Sequence, residues 1–300
     1  MSTTPINHGV VHIAGPTGVG KSALAIEIAE RIGAEIVGAD AYQIYAGLPI
    51  LTAQPAAAEM GRVPHHLIGC IPPTEAFDAQ RYAELARPIL ADIARRGRRA
   101  LVVGGTGLYF RALIDGFAPT PPPDAGLRRE LEDLDLDALV GRLEAADPAA
   151  PALVDCRNKR RVVRAIEIVE GSGRPLADFR STPRMTATGL LVTRDREELR
   201  DRIAANVRQM LAMGAIEEVK ALGDGVGPTA ERAIGLKDIR AYIQGALSLD
   251  QCIERMTLET QRYAKRQLTW FRNQTTFKPL DLTGTQHWSA AVESALRALE

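Results

Sequence analysis

Residues 15–22 read Gly-Pro-Thr-Gly-Val-Gly-Lys-Ser, a full match to the pattern G-x-x-x-x-G-K-[ST]. In such a loop the glycines let successive backbone N–H groups turn inward around an anion, and a following helix adds the partial positive charge of its N-terminus. Gly15, Pro16, Thr17, Gly18, Val19, Gly20, Lys21 and Ser22 are therefore the candidate phosphate cradle. Lys21 has the reach to meet an outer phosphate, and the Ser22 hydroxyl can ligate Mg²⁺. The loop specifies a phosphate without specifying the molecule that carries it. Taken alone it favours ATP or another nucleoside triphosphate.

The loop needs a strand before it and a helix after it. Val10-Val11-His12-Ile13-Ala14 reads as a buried strand, and Ala23 to Ala29 has helical periodicity. Glu35 to Gly38 predicts a second strand, ending at Ala39-Asp40, and Gln80 to Arg95 a helix. Ala100 to Val103 predicts another buried strand, stopped by Gly104-Gly105-Thr106-Gly107. Alternating elements of this kind specify an α/β fold, a P-loop NTPase-like parallel sheet flanked by helices. Functional loops in such sheets lie at strand C-termini, where the P-loop, Asp40 and Thr106 would converge.

The pattern changes after Phe117. The run Pro119-Thr120-Pro121-Pro122-Pro123-Asp124 excludes regular helix and central strand. Helical patterns without a strand then continue to about Phe179, until a strand signal returns at Gly189 to Thr193. This predicts a catalytic core of residues 1–117 and 185–300, interrupted by a helical insertion domain at 118–184. Further helices are expected over Glu197–Ala212, Ile234–Gln244 and Leu249–Arg272, with a terminal helix from about Ser289. Phe277 to Leu280 contains Pro279 and predicts an edge strand.

The 300 residues carry 37 basic and 37 acidic side chains, so polyanion binding must come from local patches. The three cysteines, Cys70, Cys156 and Cys252, form no metal or disulfide pattern, which suits a reducing compartment. With no apolar run of membrane-span length and no signal-peptide pattern, a cytoplasmic protein is expected. Two segments depart from neutrality. Arg157, Arg160, Arg161 and Arg164 would share one helix face, to hold a polyanion or to pair with acids such as Glu167 and Glu170. Arg262 to Arg272 interleaves basic and aromatic side chains, which suits either nucleic acid or a helix with Tyr263, Trp270 and Phe271 in the core.

The chain resembles the tRNA dimethylallyltransferases (tRNA isopentenyltransferases, the MiaA type). The resemblance rests on an ordered set of blocks: Gly15 to Ser22, Asp40-Ala41-Tyr42-Gln43-Ile44-Tyr45, Val63-Pro64-His65-His66-Leu67 and Val103 to Tyr109. It continues with Arg160 to Glu167, Ala233-Ile234-Gly235-Leu236-Lys237 and Arg262 to Arg272. It implies transfer of a dimethylallyl group from dimethylallyl diphosphate to N6 of the adenine 3′-adjacent to the anticodon in tRNA. The P-loop would then cradle the diphosphate leaving group, with Lys21, Thr17 and a Mg²⁺ on Ser22 acting on its charge. Asp40 matches the catalytic aspartate, a general base toward the adenine amine; the lesser alternative at that position is a Mg²⁺ ligand or a helix N-cap. Contacts to the tRNA anticodon stem-loop map onto Asp40, Ala41, Tyr42, Gln43, Thr106, Arg128, Arg160, Arg161, Val162, Val163, Arg164, Arg232 and Lys237. One site per chain implies a monomer.

The chain departs from the family pattern in places. Ala41 stands where serine is usual, Leu51 where glycine is usual and Gln54 where lysine is usual. The second arginine expected to hold diphosphate falls on Asn206, with Arg202 at the first and Arg208 nearby, and Leu236 replaces a common tyrosine. A small-molecule kinase, an adenylate isopentenyltransferase and a non-catalytic tRNA-binding protein are the competing readings. The basic helix argues for a polymeric acceptor, and the intact Gly20, Lys21, Ser22 and Asp40 for catalysis.

Overall fold

The computed structural model describes residues 9–118, 120–122, 124–179, 184–223, 225–285 and 288–299; Pro119 and Pro123 of the proline run lie outside these. The chain divides into two compact units, one of Met1–Asp115 with Arg184–Glu300 and one of Gly116–Pro183.

The first unit opens with β1 (Val10–Ala14), α1 (Lys21–Ile32), β2 (Glu35–Gly38), α2 (Ala57–Met60), β3 (His65–His66), α3 (Ala79–Arg95), β4 (Ala100–Gly104) and α4 (Gly107–Ile114). The second unit contains α5 (Ala125–Glu132), α6 (Leu136–Ala146) and α7 (Lys159–Ser172). The first unit then resumes with β5 (Gly189–Thr193), α8 (Arg196–Ala212), α9 (Ala215–Leu222), α10 (Leu236–Ile243), α11 (Leu249–Gln274), β6 (Lys278–Asp281) and α12 (Trp288–Leu299).

The strands form one six-stranded parallel sheet in the order β3-β2-β4-β1-β5-β6. Period-2 alternation splits the core between its faces. Ala14, Val37, Val102 and Leu191 face the larger cluster, with Tyr45, Tyr82, Phe110 and Phe271. Ile13, Ile36, Leu101 and Leu190 face the other, with Leu24, Ile28, Ile203 and Val292. Each fully buried side chain of this size contributes about 1.5–3 kcal/mol through removal from water. The edge strand at Pro279 is as the proline predicts, while β3 at the opposite edge is too short for sequence periodicity to reveal.

His12 sits inside this core on β1, stacked 5.7 Å from Phe277, and its Nδ1–H donates to the Thr188 carbonyl. Burial lowers its pKa to about 4. At the base of the sheet Glu35 is 2% exposed and accepts hydrogen bonds from Arg96 and His66. The Arg96 guanidinium beside it holds the Glu35 carboxyl at about 2.

In the second unit Leu131, Leu139, Leu143, Val162 and Ile166 build a separate small core. Its helices start at side-chain caps: Asp124, Asp135 and Asn158 each accept a backbone N–H of the first turn. Because Asn158 caps α7, Arg157 lies before the helix, where its Nε donates to Asp155, and only Arg160, Arg161 and Arg164 belong to the expected basic helix.

Candidate active site

The order β2-β4-β1 places three loops side by side at the C-terminal edge of the sheet. The P-loop follows β1, Asp40 follows β2, and Gly105-Thr106 follows β4 between them. Gly18 and Gly20 take φ of 78° and 104°, the left-handed region that glycine enters without strain, so the backbone can fold around an anion. Gly20 is the residue that opens α1, so the helix N-terminus points its free N–H groups at the same point.

The β4 glycines answer to close packing. A Cβ on Gly104 would lie 2.0 Å from the Ala39 carbonyl oxygen, one on Gly105 2.2 Å from Gln267 Nε2, and one on Gly107 2.1 Å from Trp270. Thr106 Oγ1 accepts the Ala41 N–H at 2.8 Å, and the Thr106 N–H donates to the Ala39 carbonyl at 3.2 Å, so β4's loop holds the Asp40 segment on both sides. Gln267 of α11 holds the other flank: its Oε1 accepts the Thr17 N–H and its Nε2 donates to the Gly105 carbonyl, both at 2.9 Å.

These elements enclose a cavity of about 220 Å³. One end is polar, with Thr17, Gly18, Gly20, Lys21, Ser22, Asp40 and Arg202; other walls are Leu51, Val207, Met210, Ile234 and Met256. Burial lowers the Lys21 ammonium below the ordinary lysine range, partly offset by Asp40, and its Nζ donates to the Pro16 carbonyl at 3.2 Å. Asp40 Oδ1 accepts the N–H groups of Tyr42 and Gln43 at 3.0 and 3.4 Å, while Oδ2 takes no hydrogen bond from a described residue. The carboxylate is thus oriented by its own turn with one oxygen left for chemistry. Tyr42 and Tyr263 lie beside it, ring centroids 6.1 Å apart, and burial followed by the Asp40 charge raises both phenols.

Among the described residues no three His, Cys, Asp or Glu gather as a metal cage. Ser22 and Asp40 nevertheless border one cavity and present hard oxygens. That donor set suits Mg²⁺, which is commonly held by one or two protein oxygens together with substrate phosphates.

The residues expected to form the site divide into groups. Thr17, Gly18, Gly20, Lys21, Ser22, Asp40, Tyr42 and Gln43 line the cavity, and Gly15, Pro16, Val19, Ala41 and Thr106 build its frame. Gly15 packs against Val192 and Val19 is fully buried. Gln43 is committed internally, since its Nε2 donates to Thr52 and Ala53 carbonyls at 3.2 and 2.7 Å. Arg232 and Lys237 are exposed and do not line the cavity. In the second unit Arg160 and Arg161 are exposed, whereas Arg128 and Arg164 both bind the buried Glu167 carboxylate, at 2.7 and 3.1 Å. Val162 and Val163, expected among the tRNA contacts, have buried side chains instead: at 0% and 6% exposure they pack into the second unit's core, because they occupy the apolar face of α7.

The departures from the family pattern also find their places. Gln54 Nε2 donates to the Gln43 and Tyr45 carbonyls at 2.9 and 2.8 Å, tying the Asp40 segment to the next turn. Asn206 lines the cavity beside Arg202; Arg208 is exposed, bonds the Ala204 carbonyl at 3.4 Å, and does not replace the missing arginine there. Sequence reasoning missed Arg194 and the role of Gln267. Arg194 is buried just after β5, with its Nε on the Val19 carbonyl at 3.3 Å and its guanidinium paired with Glu198. Its position at a strand C-terminus was the available signal. For Gln267 the signal was its place one turn from Tyr263 on the same helix face.

A parallel α/β sheet with an anion cradle after its central strand, and a free carboxylate oxygen in the same cavity, defines a P-loop-type group transferase. The chain matches the IPP transferase family over residues 43–274 and the isopentenyl transferase family over residues 8–67. It is 43% identical over 284 residues to tRNA dimethylallyltransferase 1 of Citrifermentans bemidjiense, covering 92% of this chain and 93% of that one. It is 40% identical over 291 residues to the tRNA dimethylallyltransferase of Akkermansia muciniphila, covering 96% and 98%. Among solved structures, the tRNA isopentenylpyrophosphate transferase of Bacillus halodurans superposes with a TM-score of 0.71 at 36% identity, over 98% of this chain and 97% of that one. A eukaryotic dimethylallyltransferase acting on tRNA gives 0.82 at 27% identity, over 96% and 77%. The chain belongs to the IPP transferase family.

Proposed function

We propose that this protein transfers a dimethylallyl group from dimethylallyl diphosphate to N6 of the adenine 3′-adjacent to the anticodon in tRNA, giving N6-isopentenyladenosine. The observation that carries this reading is one cavity holding Lys21 and Asp40 at its phosphate loop and Leu51, Val207, Met210 and Met256 on its other walls. A short apolar chain ending in diphosphate has both halves of that chemistry.

The diphosphate lies on the N–H groups of the P-loop and the α1 N-terminus, with Lys21 against its outer charge. As the C1–O bond breaks, the bonding pair leaves with the diphosphate, whose growing charge the loop stabilises without rearranging. N6 of adenine attacks C1. This amine is a weak nucleophile because its lone pair is delocalised into the ring, so Asp40 accepts the N6 proton as the N–C bond forms. Ser22 would hold a Mg²⁺ that neutralises diphosphate charge. The target base must leave its stack to enter the cavity, where Tyr42 and Tyr263 offer ring faces. Arg160 and Arg161 on α7 favour a polymeric acceptor over a free nucleotide. No helix among the described residues is long and apolar enough to cross a membrane, and we assign the chain to the cytoplasm as a monomer.

The test combines purified protein, Mg²⁺, dimethylallyl diphosphate and anticodon stem-loops with and without adenine at the target position. Product with the adenine-containing loops alone supports the reading; no product with any of them refutes it.

A further inference from the structure

Within this reading of the reaction, we propose that Leu51, together with Met256, closes the apolar end of the cavity and sets the length of prenyl chain that the site takes. The cavity's direction follows from two helices. On α8, Arg202 Nε donates to the Gly18 carbonyl at 3.1 Å, and Asn206, Val207 and Met210 follow along the cavity wall. On α11, Gln267 binds Thr17, and Tyr263, Thr260 and Met256 line the wall at successive turns away from it. Met256 is eleven positions from Gln267, about 16 Å along α11 at 1.5 Å per residue. Asp40 accepts the Tyr42 N–H, and the Tyr42 ring lies 6.1 Å from Tyr263, one turn from Gln267, so the reacting carbon belongs near the phosphate end and the hydrocarbon tail points toward Met256.

The wall at that end is built tightly. Leu51 and Met256 are 4% and 2% exposed and meet over Gly235. A Cβ added to Gly235, whose φ is 93°, would lie 2.5 Å from Met256 Cε and 3.1 Å from Leu51 Cδ1. The Leu51 backbone is itself pinned, because the Glu218 carboxylate accepts the N–H groups of Ile50 and Leu51, each at 2.8 Å. A side chain fixed at its backbone and packed on two sides acts as a stop, and a hydrocarbon one isoprene unit longer collides with it.

The experiment measures kcat/KM for dimethylallyl and geranyl diphosphates with an adenine-containing anticodon stem-loop. It uses the full chain with Mg²⁺, as wild type, Leu51→Ala, Met256→Ala and the volume-conserving Leu51→Met. Wild type is expected to prefer the five-carbon donor by roughly a hundredfold, and each alanine variant to shift the ratio toward geranyl by roughly tenfold or more, with Leu51→Met near wild type. A wild type that uses geranyl diphosphate within tenfold of dimethylallyl diphosphate overturns the stop whatever the variants do. So does an unshifted ratio in alanine variants that still transfer the five-carbon group. An active wild type with an unshifted ratio defeats the stop alone; a wild type inert with both donors defeats the stop and the reaction together.

Discussion

Gln267 accepts the Thr17 N–H while donating to the Gly105 carbonyl, so one buried side chain near the end of the sequence fixes the spacing of the phosphate loop and the loop after β4. It also occupies one P-loop amide, that of Thr17, while the Val19 N–H donates to the Pro16 carbonyl at 3.4 Å.

Gln267→Ala removes both bonds and leaves Thr17 N–H and Gly105 C=O without their partner, at about 1–3 kcal/mol for each group left unsatisfied. The expected outcome is a lower unfolding midpoint and a KM for dimethylallyl diphosphate raised about tenfold or more. Gly105→Ala, which drives a methyl into the same amide, should be non-additive with it in a double-mutant cycle. Strict additivity would show that the two do not share this contact.

Asp40→Asn keeps an acceptor for the Tyr42 and Gln43 N–H groups but cannot take the adenine proton. Single-turnover transfer should slow by about 10²–10⁴ with dimethylallyl diphosphate affinity little changed. Near-normal transfer would reassign Asp40 to a structural or metal-binding role.

Two buried groups contribute to the acid response in separate windows. His12 has its pKa lowered from 6.5 to about 4, so the unfolded chain binds the extra proton first and stability falls as pH drops from 6.5 toward 4. Glu35 is lowered from 4.5 to about 2, so its contribution is present above 4.5 and is lost as pH falls toward 2. Urea unfolding across pH 7 to 3 should show both windows. Glu35→Gln should shrink the lower window, which Asp92, Asp124 and Asp195 share, and His12→Gln the upper one, which His65 shares through its own burial, each at reduced stability at pH 7.

Arg161 is exposed without an ion-pair partner among the described residues, unlike Arg128 and Arg164 on Glu167. Arg161→Ala should reduce the slope of log affinity against log salt for tRNA binding by about one phosphate contact. Glu167→Gln should instead lower the stability of the second unit, because it unhooks two arginines from a buried carboxylate. An unchanged salt slope in Arg161→Ala would take α7's exposed face out of the tRNA contact set.

The sheet, the phosphate loop and Asp40 were legible in the sequence for local reasons. Buried parallel strands read as apolar runs, and a glycine pattern between strand and helix specifies its own backbone. Strand β3, two residues long, carries no period to detect. The basic face of α7 was overdrawn because periodicity does not reveal an N-cap: Asn158 starts the helix after Arg157. Nor does it reveal which arginines a buried Glu167 will claim.

What the sequence determined by itself is therefore the set of groups and their strand ends: a cradle at Gly15–Ser22, a carboxylate at Asp40 and a turn at Thr106. The cavity that joins the cradle to Asp40 was left to tertiary structure, because its walls come from α8, α11 and Ala233-Ile234 just before α10, far along the chain. Gln267 meets Thr17 across 250 positions, and Leu51 meets Met256 over Gly235. Contacts of that separation have no local signature. They arise when helices settle on a sheet at close-packed density, and that packing decides which side chains close the site.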